Sequence, residues 1–376
     1  MSKRVLIVSD SFKESLSAQA VAQSIARGIG AADATARCTL MPFSDGGEGA
    51  LEVLSQNTEG HKVSGHTTDA LGRPINAEYF KFEQKKTAWI ELSQASGLHR
   101  IEPALRDPKI TSTYGTGLLI KQALDRGAEE IILGIGGSAT NDAGTGIIKA
   151  LGGTFLDAQG NELPNGGLAL SKLETIKCPE RLKKIKWHIA CDVTNPLLGP
   201  DGATYIYGPQ KGAQPQDLEP LEQALQQFAR VVKSRTGRPI DIVQGGGAAG
   251  GTAAGLFGLL NARLVSGFDL LADMTHLEEA INQCDYVFTA EGRIDAQSIH
   301  GKVPIAVSAI AKKCNKPVIG IAGSIQGPFD QHHELGLTSL FSIQNGPMDL
   351  SESKLNSAEL IQDTASRIWQ LIKSNN

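Results

Sequence analysis

Short runs of consecutive apolar residues recur along the chain. Each gives way to a polar or glycine-rich turn, and most continue into an amphipathic stretch. Residues 5–8 lead into Asp10-Ser-Phe-Lys13 and a helix-spaced stretch over 18–28, and residues 39–41 lead into Ser44-Asp-Gly-Gly-Glu-Gly49 and a second helix. Residues 131–133 lead into the turn 134–142, residues 286–289 into Glu291-Gly-Arg-Ile-Asp295, and residues 318–321 into Ala322-Gly-Ser324. A short strand that is apolar at every position is buried on both faces, and such strands alternating with helices make a parallel sheet. Ligands of an open parallel sheet lie beyond the carboxyl ends of its strands, so these turns are expected to line one site.

Between residues 61 and 92 the pattern changes. Strand-like runs at 63–68, 75–82 and 87–92 have no helix between them, and Gly72-Arg-Pro74 is a turn signal, so hairpins are expected. Residues 153–194 are also rich in strands and loops. The expected architecture is α/β: a Rossmann-like parallel-sheet domain from residues 1–62 and 265–376, with a mixed α/β domain inserted over 63–264. The helix–strand pair within 113–137 fits either domain. Leu218, Leu221, Leu225, Phe228 and Val232 recur at helical spacing, as do Ile361, Ala365, Ile368 and Ile372, and both stripes are expected to be core. Six glycines crowd residues 245–255, which read equally well as a hinge or as an anion-binding turn before a helix.

Composition narrows the function classes. With 376 residues, 41% hydrophobic and 20% charged, the chain has material for two packed domains. A net charge of −4 argues against nucleic acid or an anionic membrane as the main partner. The five cysteines form no CxxC pair, no leader peptide is evident, and no apolar run approaches membrane-spanning length, so a cytoplasmic protein is expected.

The turns carry the chemistry. In 134–142, glycines and hydroxyls follow a strand and precede a helix, which is how a backbone cradles phosphate; Gly136, Gly137, Ser138 and Asn141 are its candidate contacts. Gly134-Ile-Gly-Gly-Ser-Ala139 also fits the dinucleotide pattern GxGxxA, with Asp157 at a suitable distance for a ribose, so a nicotinamide-dependent dehydrogenase stays open. Asn141 and Asp142 are alternatively ligands of a metal or substrate. No Walker loop and no protein-kinase motif set is present. Asp10, Asp45, Asp192, Glu291 and Asp295 sit at or after strand ends, where carboxylates serve as helix caps, as Mg²⁺ ligands or as proton acceptors. Lys13, Arg293 and Lys302 lie near the same turns and suit phosphate or carboxylate. His300 is a weaker acid–base candidate.

Together these segments resemble the bacterial glycerate kinases. The resemblance runs through Asp10-Ser-Phe-Lys-Glu-Ser-Leu-Ser17, Asp45-Gly-Gly-Glu-Gly49, Ser112-Thr-Tyr-Gly-Thr-Gly117 and the turn 134–142. It continues through Cys191-Asp192, Gly208-Pro-Gln-Lys-Gly212, Gly247-Ala-Ala-Gly-Gly251, Glu291-Gly-Arg-Ile-Asp295 and His300-Gly-Lys302. Ser9, Ser44 and Ala290 depart from it, where Pro, Ala and Gly are usual. The resemblance implies ATP-dependent, Mg²⁺-requiring phosphorylation of D-glycerate, with 2-phosphoglycerate as product and 3-phosphoglycerate as the alternative. It also implies a Rossmann-like domain and a second α/β domain with the site in the cleft between them. On this reading Asp45 and Asp192 are catalytic. Lys13, Gly136, Gly137, Ser138, Asn141, Arg293 and Lys302 bind substrate or phosphate, and Asp10, Glu291 and Asp295 face the metal.

Overall fold

The computed structural model describes residues 2–12, 15–44, 46–295, 302–327 and 333–374. Lys13, Asp45 and His300 therefore lie outside the described residues. In chain order the strands are β1 (Arg4–Ser9), β2 (Arg37–Leu40), β3 (Gly60–Thr68), β4 (Pro74–Phe82), β5 (Thr87–Glu91), β6 (Glu130–Gly134) and β7 (Thr154–Leu156). They continue as β8 (Thr175–Lys177), β9 (Lys186–Ala190), β10 (Arg263–Val265), β11 (Tyr286–Ile294), β12 (Val318–Ile325) and β13 (Ser339–Ser342). The chain divides into two compact units, residues 1–45 with 268–376, and residues 46–267.

The first unit holds a sheet in the order β13-β12-β11-β1-β2, every pair parallel. Counted within the unit, this is the doubly wound order 2-1-3-4-5, whose switch point lies between β1 and β11. Val5 and Ile7 point to one face. They meet Val21, Ile25 and Ile29 of the helix Ala18–Ala32 and Ile361, Ala365, Ile368 and Trp369 of the helix Ser357–Ser374, the C-terminal stripe read from the sequence. These two helices cross closely at Gly28, where a Cβ would overlap the carbonyl oxygen of Gln362.

Two of the expected turns are strand instead. Residues 291–294 and 322–325 continue β11 and β12, because each strand finds in the other a parallel ladder partner, Glu291 with Ala322, Arg293 with Ser324 and Ile294 with Ile325. Ala290 thus sits inside a strand, beside Ser9 of β1, and shapes no loop.

The second unit holds the order β10-β9-β6-β5-β4-β3 and a separate hairpin of β7 with β8. β3, β4 and β5 are antiparallel neighbours, as the hairpin signals suggested, while β5, β6, β9 and β10 run parallel. The helix Ala50–Asn57 packs on β3, β4 and β5, so residues 46–62, expected with the first domain, belong to the second unit. The helix Tyr114–Asp125 and β6 fall here too. Leu221, Leu225, Phe228 and Val232 of the helix Pro215–Thr236 face its core.

Residues 245–255 also lie wholly inside this unit. Their glycines let backbones approach: a Cβ on Gly247 would strike Pro196 O, one on Gly250 would strike Thr140 O, and one on Gly255 would strike Ala143 O. Close packing against the turn after β6, rather than hinge motion, accounts for them.

Candidate active site

In the second unit the strand registers align Glu91, Gly134, Ala190 and Val265 at the carboxyl ends of β5, β6, β9 and β10. The turns that follow leave the sheet side by side. After β9 comes Asp192, half-buried, whose two carboxylate oxygens accept the Gly267 amide at 3.2 and 3.1 Å. Gly46 lies against both Gly267 and Gly134, so closely that a Cβ there would meet Gly267 Cα at 2.4 Å, and one on Gly134 would meet Gly46 O at 2.6 Å. The residue immediately after Asp45 is therefore beside the glycine turn and beside the amide that Asp192 holds.

The turn after β6 is pinned at both sides, by Leu98 N donating to Gly137 O at 2.8 Å and Ala139 N donating to Ser96 O at 2.9 Å. Gly137 has φ of +67° and is exposed, and a side chain there would collide with the Glu48 carboxyl. The amides of Gly136 and Gly137 make no hydrogen bond among the described residues. Ser138 and Asn141 are buried. The Asn141 amide donates to Thr204 Oγ1 at 3.3 Å, and its Oδ1 has no hydrogen-bond partner among the described residues.

Asp142 is committed to structure rather than to a ligand. Its Oδ2 accepts from Thr113 N at 2.8 Å, Thr113 Oγ1 at 3.0 Å, Ser112 Oγ at 3.3 Å and Gly146 N at 3.3 Å, and its Oδ1 accepts from Gly144 N at 3.1 Å. Burial pushes this carboxyl upward in pKa, while the donors from Thr113, Gly144 and Gly146 pull it down. Through it the segment 112–113 is tied to the turn.

The dinucleotide pattern does not hold together. The helix after the turn, Thr145–Ala150, starts only beyond Gly144, and β7 pairs with β8 rather than lying beside β6. Asp157 at the end of β7 closes its own hairpin, accepting from the amides of Gln159 and Asn161 at 2.9 Å each.

Two buried charges in this region escape sequence reasoning. Glu91 is 3% exposed at the end of β5 and accepts Leu51 N at 2.8 Å; burial raises its pKa to about 7. A carboxylate closing an otherwise apolar strand was the available signal. Lys211 is 2% exposed and donates to Ser138 Oγ at 2.9 Å and to Thr140 O at 2.7 Å. Burial lowers its pKa to about 7, against the pull of the Asp142 charge. Its segment, 208–212, was visible only as one of the family-like blocks.

In the first unit Asp10 closes β1, and its backbone N–H donates to Ala290 O at 2.9 Å across the switch point. Glu291, Arg293 and Asp295 alternate along the extended end of β11, which gives them one face. Lys302 Nζ lies 2.8 Å from Glu291 Oε1 and donates to Arg293 O at 2.8 Å. Arg293 Nε lies 3.0 Å from Asp295 Oδ2, and its guanidinium donates to Gln326 Oε1 at 2.7 Å. Two of the three expected anion-binding cations, Arg293 and Lys302, are thus paired with two expected metal-facing carboxylates, Asp295 and Glu291, while Lys13 lies outside the described residues. Among the described residues no group of three or more His, Cys, Asp or Glu is placed to hold a metal ion unaided.

Comparison with known proteins gives this arrangement a family. The glycerate kinase family profile matches residues 5–373. A glycerate kinase of Bacillus subtilis is 43% identical over 98% of both chains, and a glycerate 2-kinase of Escherichia coli is 45% identical over 93% of both. A crystal structure named as that of a glycerate kinase 2 from Salmonella typhimurium LT2 superposes with a TM-score of 0.86 at 42% identity, covering 100% of this chain and 99% of that one. The chain belongs to the glycerate kinase family.

Proposed function

We propose that this protein transfers the γ-phosphoryl group of ATP to the 2-hydroxyl of D-glycerate, giving 2-phosphoglycerate and ADP. The observation that carries the reading is the convergence, beyond the carboxyl ends of the second unit's parallel strands, of Asp192, the residue following Asp45, and the glycine turn with Ser138 and Asn141. The name of the Escherichia coli relative, a glycerate 2-kinase, supports the choice of hydroxyl.

Phosphoryl transfer asks a protein mainly for positioning and charge neutralisation. Asp45 and Asp192 supply the carboxylates at the acceptor hydroxyl, one taking its proton as the oxygen bonds to the γ-phosphorus and the bond to the β–γ bridging oxygen breaks. Asp192 is already oriented by the Gly267 amide. The amides of Gly136 and Gly137, with Ser138 and the unpartnered Asn141 carbonyl, form an anion- and hydroxyl-binding turn. Lys13, Arg293 and Lys302 balance phosphate or the glycerate carboxylate, the latter two by exchanging their carboxylate partners for substrate.

A nucleotide-bound Mg²⁺ needs one or two protein carboxylates besides phosphate oxygens and water, which Asp10, Glu291 and Asp295 fit without forming a protein-only cage. When bound, the ion neutralises phosphate charge. No helix among the described residues is long and apolar enough to cross a membrane, and we place the reaction in the cytoplasm.

ADP release measured with ATP and D-glycerate tests the reading. Release above a glycerate-free control, abolished by excess EDTA, is expected. Equal release with and without glycerate contradicts the substrate, and persistence in EDTA contradicts the metal.

A further inference from the structure

We propose that Lys211 is a positioning residue for phosphoryl transfer: through Ser138 it sets the shape of the turn 134–142 that receives an anionic substrate group. The inference rests on the kinase reading above and names a device within the same site.

An amine removed from water loses much of its hydration and is retained only where specific partners replace it. Both hydrogen-bond partners of the Lys211 amine belong to one turn, Ser138 Oγ at 2.9 Å and Thr140 O at 2.7 Å. They flank Ala139, whose amide donates to Ser96 O at 2.9 Å, one of the two bonds that pin the turn to the segment 96–98. The lysine therefore fixes the turn from the side opposite the segment 96–98.

Its own backbone is equally fixed. Pro209–Lys211 is a single 3₁₀ turn that ends at Gly212, where φ is +99° and a Cβ would overlap Arg106 O. A rigid base makes the ammonium a strut rather than a mobile cation. Thr140 lies two residues before Asp142, which is itself tied to 112–113. Two motifs of the sequence that no catalytic role had absorbed, 112–117 and 208–212, thus serve one purpose: they brace the glycine turn from two sides.

Steady-state kinetics of the full chain, varying ATP and D-glycerate separately, with thermal melts and active-site titration, test this. Lys211→Met is expected to raise KM for one substrate tenfold or more in the active fraction, with a smaller change in kcat. Ser138→Ala is expected to raise the same KM, Lys211→Arg to recover part of the loss, and the double variant Lys211→Met/Ser138→Ala to be no worse than Lys211→Met within about twofold, as for two residues acting as a unit. A purely structural lysine would lower the melting temperature and the active fraction while leaving both KM values within twofold of wild type; that result, or multiplying losses in the double variant, overturns the proposal. Should Lys211→Met fail to fold, Ser138→Ala with unchanged KM values overturns it alone. Failure of the wild-type protein to use glycerate would sink the kinase reading separately. The variants are then compared by calorimetric binding of ATP and of D-glycerate, where unchanged Kd values count against Lys211.

Discussion

Replacing Asp192 by Asn separates chemistry from structure at the centre of the proposed site. One structural duty of this carboxylate is the Gly267 amide, shared between its two oxygens at 3.2 and 3.1 Å. An asparagine Oδ1 can accept the same N–H, so at this contact the substitution costs at most about 1 kcal/mol, the net worth of one hydrogen bond. For a unit the size of residues 46–267 that corresponds to a Tm shift of roughly 2–4 °C. The chemical duty is different. A carboxylate that takes or orients the acceptor proton contributes about 10²–10⁴-fold in rate, or about 3–5 kcal/mol of barrier. Asp192→Asn should therefore keep its melting curve nearly unchanged and lose kcat by at least about a hundredfold. The assay is ADP release at saturating ATP and D-glycerate, normalised to folded protein. A folded variant within threefold of wild-type kcat would refute the reasoning and leave Asp192 as a loop anchor only.

Three other outcomes follow from the same geometry. Asp142→Ala strands the buried amides of Thr113, Gly144 and Gly146 and should cost about 3 kcal/mol or more in urea unfolding, whereas a loss below about 1 kcal/mol would contradict its bracing role. Glu91 has a raised folded-state pKa of about 7 against 4.5, so the unfolded chain gives up its proton first and stability falls as pH rises from 4.5 through 7. Glu91→Gln should accordingly match wild type at pH 4.5 and gain on it up to pH 8, by about 3 kcal/mol at most; an advantage that does not grow over that window contradicts the assignment. Arg293→Lys cannot reproduce a guanidinium that reaches Asp295 and Gln326 together, and should raise KM for ATP or D-glycerate about tenfold; unaltered values for both remove Arg293 from the site.

Much of the fold was legible because burial writes itself into composition. Buried strands such as β1, β6 and β12 have apolar centres, at 5–8, 131–133 and 318–321, and the turn between the hairpin strands β3 and β4 is marked by Gly72-Arg-Pro74, so their positions could be read directly. Their ends could not. β11 runs on through Glu291, Gly292 and Arg293 because β12 offers a ladder partner, and a residue's own side chain carries no record of that. The same limit applies to the glycines of 245–255, whose function is a close approach to Thr140 and Ala143, far away in sequence. Candidate site residues were proposed where polar side chains lay near glycines, although Glu291 and Arg293 of that set lie in strand β11. Lys211 and Glu91 were missed because a lysine or glutamate is ordinarily a surface residue, and only its burial and its hydrogen-bond partners distinguish it. Asp142 was seen but its duty was not, since a carboxylate with several backbone donors looks identical in sequence to one awaiting a ligand.

The most direct test of the account is the proton-coupled phosphorus NMR spectrum of the product formed from ATP and D-glycerate, with phosphoglycerate mutase and enolase absent. Esterification at the 2-oxygen couples phosphorus to one methine proton, and the account predicts a new monoester doublet growing in step with ADP. A triplet, from phosphorus beside the 3-methylene, would contradict the proposed regiochemistry while keeping the kinase. A spectrum with ADP and inorganic phosphate but no new ester would contradict phosphoryl transfer to glycerate altogether.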